Sequence, residues 1–167
     1  MARRAAVVDL DMGFNRIISD LQNASKYSLL VGIQEGSKTT GQVRAGRKQE
    51  PGLNIAQYAA QNEFGTNEIP ERSFMRTAID ENINVITTAM NQELGLVIDG
   101  NKTLRNAFDT VGLVITGLIQ RKIREIRFPP NSPRTIAEKG SSKPLIDFGA
   151  MIASIRHVVR RRGTNNP

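Results

Sequence analysis

Apolar residues recur along the chain with two periods, and each predicts its own kind of element. From Asp11 to Ala24, Phe14, Ile17, Ile18 and Leu21 fall at i, i+3, i+4 and i+7, one face of a helix, with Asp11 placed to cap it. Tyr27 to Ile33 is a short aliphatic run bounded by polar residues and predicts a buried strand. Helical spacing returns from Ile55 to Phe64 through Ile55, Tyr58 and Ala59, and Gly65 supplies the stop. After Pro70 a long helix is expected, with Glu71 in its first turn, where a carboxylate is favourable. Its stripe is Ile79, Ile83, Ile86, Met90, Leu94 and Val97. Asp99-Gly100-Asn101 makes a turn, and a second long helix carries Leu104, Phe108, Val111, Ile115, Leu118, Ile119, Ile123 and Ile126. A short polar turn between two such helices predicts an antiparallel hairpin. The stretch from Val111 to Ile119 is apolar nearly all round, so the second helix is expected at the centre.

Elsewhere the pattern breaks. Residues 36–52 interleave Gly, Ser and Thr with cations and hold no large apolar residue except Val43, so they predict an extended basic arm or hairpin. Phe128-Pro129-Pro130 ends the second long helix, and 128–148 reads as an ordered loop rich in Pro and Gly. Gly149 to Ser154 predicts a helical turn, 155–162 a final alternating strand, and 163–167 a tail. The expected fold is α+β in a single domain, 1–167. A small antiparallel sheet, including 27–34 and 155–162, packs against two long helices near 71–98 and 102–127, with shorter helices beside them.

Composition then narrows the classes. The 167 residues are 39% hydrophobic and 23% charged, enough for a core. The absence of Cys removes disulfide scaffolds, thiolate metal sites and cysteine nucleophiles. Apolar stretches fall short of a membrane span, and Asp9 and Asp11 interrupt the only run resembling a signal segment, so a cytosolic chain is expected. The formal charge of +7 is unevenly spread. Residues 1–49 carry eight Lys/Arg against four Asp/Glu, 50–100 two against eight, and 101–167 thirteen against four. Faces of opposite sign suit docking between protein copies as well as to phosphate, whereas a mixed surface would cancel them.

Candidate chemistry is sparse. The single His, His157, lies in an expected strand among arginines and reads as a partly exposed structural residue. Gly140-Ser141-Ser142-Lys143 lacks the upstream glycine of a phosphate loop and is followed by Pro144. Asp80 and Glu81 are adjacent, so they point to different sides of a helix. No residue is assigned to catalysis, a cofactor or a metal, and no enzymatic activity is expected. Arg156, Arg160, Arg161 and Arg162 concentrate positive charge on one strand, either to meet phosphate or carboxylate or to protect a sheet edge.

Two stretches carry a resemblance. One runs from Ile55 through Tyr58-Ala59-Ala60-Gln61-Asn62-Glu63-Phe64-Gly65-Thr66 to Ile69-Pro70-Glu71-Arg72-Ser73-Phe74-Met75-Arg76. The other is Pro129-Pro130-Asn131-Ser132-Pro133-Arg134-Thr135-Ile136 with Lys139-Gly140-Ser141-Ser142-Lys143-Pro144-Leu145-Ile146-Asp147. Over roughly residues 27–160 the chain resembles the head–tail joining, neck and tail-completion proteins of tailed bacteriophages. It departs from them at Arg72-Ser73, where a small residue and Pro are common, and at Phe148, where Thr is common.

The resemblance implies a structural virion protein at the head–tail junction, assembled in the host bacterial cytoplasm. It implies a homo-oligomeric ring, a hexamer or multiple of six, contacting other neck, connector and tail proteins, with DNA passing through and no membrane. Interface candidates are Glu63, Glu68, Glu71, Glu81, Arg134, Lys139 and Lys143. Candidates for non-specific contact with DNA phosphate are Lys38, Arg44, Arg47, Lys48, Arg160, Arg161 and Arg162. The rival readings are a tail terminator capping the tail tube and a basic nucleic-acid-binding module.

Overall fold

The computed structural model describes residues 13–34, 36–40, 43–44, 47–48, 51–125, 133, 136–137 and 149–162. In chain order the elements are α1 (Phe14–Ala24), β1 (Tyr27–Ile33), β2 (Val43–Arg44), β3 (Arg47–Lys48), α2 (Ile55–Phe64), α3 (Met75–Glu81), α4 (Ile83–Ile98), α5 (Leu104–Glu125), α6 (Ala150–Ser154) and β4 (Ile155–Arg161). The fold is α+β, with a small antiparallel sheet and several helices.

The 22-residue α5, about 33 Å long, organises the rest. One side carries β1 and β4, antiparallel from Tyr27 opposite Arg161 to Ile33 opposite Ile155. Other sides carry α3 and α4. Its expected central place follows from its composition: Leu104, Ala107, Val111, Gly112, Leu118, Ile119 and Ile123 are all buried. Toward its C-terminal end Ile119 and Ile123 join Ile55, Ala59, Phe74, Ala78, Met151 and Ile155 in the main core. Toward its N-terminal end Leu104 and Ala107 meet Val97, with Tyr27 and Phe108 edge to face at 6.5 Å between ring centres.

Three expectations are corrected. The helix expected over 71–98 is two, α3 and α4, broken at Asn82 (φ −119°, ψ 19°). Asn82 Nδ2 donates to the Ala78 carbonyl and its Oδ1 accepts from Arg121, so the side chain competes with the helical ladder. Glu71 precedes α3 rather than lying in its first turn. In the stretch 128–148, Pro133, Ile136 and Ala137 are helical rather than loop, and the other residues up to 148 lie outside the described ones. The expected cap Asp11 lies outside the described residues, and Gly13, at φ 94°, precedes α1.

Within 36–52 the described part is a hairpin, with β2 against β3. Its base is tied down. The Thr39 amide donates to the Leu53 carbonyl, Gly52 donates to the Thr39 carbonyl, and the buried Thr39 Oγ1 accepts from the Leu53 amide at 3.0 Å.

Candidate functional site

The first resembling stretch folds into one hydrogen-bonded unit joining α2 to α3. Asn54 caps α2, its Oδ1 accepting from the Gln57 amide. Gly65 ends the helix at φ 73°, and a Cβ there would stand 3.0 Å from the Glu71 nitrogen and 3.2 Å from the Ile69 carbonyl oxygen. Only glycine fits that turn. The chain then doubles back, with the Thr66 amide donating to Ile69 and the Thr66 hydroxyl accepting from the Glu68 and Ile69 amides.

This reversal sets Asn62 and Glu63 against residues 72–76. The Asn62 carbonyl accepts from the Arg72 amide at 2.7 Å, and its Oδ1 accepts from Arg72 Nη1 at 2.9 Å. Glu63 Oε2 accepts from the amides of Phe74 (2.8 Å) and Met75 (2.9 Å), while Oε1 accepts from the amide of Arg76 (3.0 Å). The start of α3 has no side-chain cap of its own, so Glu63 supplies one from another helix. Arg76 closes the unit, donating to Glu63 and Glu71 with its guanidinium 5.3 Å from the centre of the Phe64 ring. Hydrogen bonds from Glu71 and then Glu63 hold Arg76 above the ordinary guanidinium pKa, whereas burial lowers that of Arg72.

The four carboxylates expected at an interface have different surroundings. Glu63, expected at an interface, is buried, because three amides and a guanidinium draw its carboxylate inward. Glu71 is exposed but pairs with Arg76 at 2.5 Å, and Glu81 pairs with Lys122. Glu68 is exposed on the loop before Pro70. Arg134, Lys139 and Lys143 lie outside the described residues. Of the cations expected to meet phosphate, Lys38 is exposed and its backbone pairs with Asn54. Arg44 is opposite Arg47, and Lys48 opposite Val43, in the backbone register of β2 and β3. Arg160, Arg161 and Arg162 are exposed at one end of the sheet.

His157 packs its ring over α5. A Cβ on the buried Gly112 would fall 2.6 Å from that ring, so the missing side chain lets β4 approach the helix. His157 Nε2 lies 3.3 Å from Asp109 Oδ1.

Two surfaces stand out that the local pattern did not delineate. One is apolar. The stripe of α4 and the face of α1 are only partly covered: Phe14, Ile18 and Leu21 on α1 and Ile83 and Ile98 on α4 are exposed. Ile17, Leu21, Leu94 and Ile98 line an apolar groove between the two helices. The other is a basic cleft of about 550 Å³ at the α4–α5 turn, where Arg16, Lys102 and Arg105 join Arg161. Among the described residues no helix is long and apolar enough to cross a membrane.

No family model, no curated protein and no solved structure matches this chain.

Proposed function

We propose that the chain is a structural protomer of a ring at the head–tail junction of a tailed bacteriophage, a neck, connector or tail-completion protein through which DNA passes. The observation that carries the reading is the uncovered apolar surface of α1 and α4. Phe14 is 67%, Leu21 57% and Ile83 53% exposed, and Leu21 and Ile98 meet in one groove. Apolar surface left open on a folded chain marks a place for a protein partner. A closed ring requires each copy to present two different complementary faces. The apolar face of α1 and α4 supplies one such face. The resemblance of residues 55–76 and 129–147 supports the assignment to the virion.

The tail terminator, which caps the tail tube, is the second reading and shares the ring architecture; the basic nucleic-acid-binding module is the third. Cosedimentation of the purified chain with isolated heads and with isolated tails tests the assignment. Binding to heads, with completion of their tail-joining competence, is the expected result. Binding to tails alone would favour the terminator, and binding to neither would count against both virion readings.

A further inference from the structure

We infer that the cleft formed by α1, the α4–α5 turn and the end of β4 is a binding site for the phosphodiester backbone of DNA. Its walls carry four cations, Arg16, Lys102, Arg105 and Arg161, with two carboxylates, Asp20 on the wall and Glu93 paired with Lys102. The cations come from three separate parts of the chain and meet only through the fold. Arg160 and Arg162 lie beside Arg161, and the Arg162 amide donates to the Lys26 carbonyl, which brings Lys26 to the same end.

The cleft is built rather than incidental. Arg16 Nη2 donates to the carbonyls of Val97 and Ile98, both at 3.2 Å, which fixes its guanidinium across the C-terminal turn of α4. That guanidinium occupies the space of a Cβ at Gly100, only 2.3 Å away, and the glycine sits at φ 80°. Lys102 is held by Glu93 and by Thr110 Oγ1. Arg105 and Arg161 are exposed at the rim.

The lining favours phosphate over a protein partner. Protein interfaces centre on apolar anchors in a desolvated core. Here only Tyr27 and Leu104 offer apolar surface, and the remaining walls are cations, amides and hydroxyls. Those are the groups that contact phosphate oxygens, with guanidinium forks matched to them. Among the described residues no base-reading element lines the cleft, so the contact is independent of sequence and sensitive to salt. The inference deepens the ring reading by naming the surface turned toward DNA, and it rests on that reading for the source of the DNA.

The test is a fluorescence titration of two unrelated DNA duplexes with the full chain at low salt. Arg105→Glu with Arg161→Glu should weaken binding to both duplexes by tenfold or more, on the order expected for two lost phosphate contacts. The neutral pair Arg105→Gln with Arg161→Gln should give a smaller loss in the same direction, guarding against a misfolded reversal variant. Arg124→Glu with Arg156→Glu changes net charge equally but lies away from the cleft, and it should lose less than about threefold. Equal losses in the two reversal variants, or no loss in the cleft variant, would overturn the inference. So would full displacement of the duplex by inorganic phosphate at constant ionic strength, which would mark a discrete anion pocket. Displacement by polyglutamate at equal charge would likewise overturn it in favour of an acidic protein partner. Ring assembly is read separately from particle mass, so failure of the cleft and failure of the ring reading are distinguishable.

Discussion

The carboxylate of Glu63 and the amide of Phe74 are 2.8 Å apart across the junction of two helices. The helix starting at Met75 has no local capping side chain, and the carboxylate that serves it comes from the last turn of α2. Helix start, loop geometry and the burial of Phe74 in the core are thereby tied to one side chain. Asn62 and Glu63 thus bond the end of α2 to residues 72–76.

Glu63→Ala should therefore destabilise the chain by about 2–4 kcal/mol, the combined cost of a lost cap and of buried amides left without an acceptor. Glu63→Gln keeps one acceptor oxygen and should lose less. Urea unfolding of the two variants beside the wild type checks both the size and the order. A loss below about 0.5 kcal/mol for Glu63→Ala would contradict the capping role.

The contact between Gly112 and His157 yields a sign reversal. Gly112→Ala alone should destabilise by about 1–3 kcal/mol, because the new methyl group overlaps the imidazole. In a His157→Ala background the overlap is gone, and the same change should stabilise by up to about 1 kcal/mol through helix propensity. A double-mutant cycle by thermal unfolding measures the coupling. Additive effects would mean that the ring moves aside freely.

Much of this fold is legible in the residue pattern, and the exceptions have physical causes. The pairing of 27–33 with 155–161 and the central α5 follow from runs of apolar residues long enough to fix an element. The break at Asn82 is invisible to periodicity, because Ile79 and Ile83 keep helical spacing across it. Glu63 reads as a surface carboxylate for as long as only its own helix is considered. The signal that points inward is the uncapped start at Phe74. Arg16, Lys102 and Arg105 are isolated cations in the sequence, and only the fold brings them to Arg161. The α4 stripe is legible as apolar, but its half-exposure depends on how the helix is rotated against α5.

The exposed apolar residues of α4 separate stability from assembly. Ile83→Ser with Ile98→Ser removes apolar side chains that are 53% and 48% exposed, so each change should cost the monomer less than about 1 kcal/mol. Self-association should fall sharply in the double variant. Parallel measurement of the unfolding midpoint and of sedimentation reads the two effects apart. Loss of folding with no specific change in association would assign the stripe to the monomer core instead.

Particle mass decides whether the chain assembles into the ring we propose. Sedimentation velocity across a wide concentration range, alone and with purified heads or tails, should show a closed oligomer of six or a multiple of six, with matching rotational symmetry in electron micrographs. A chain that remains monomeric at every concentration and beside both virion parts would contradict ring assembly.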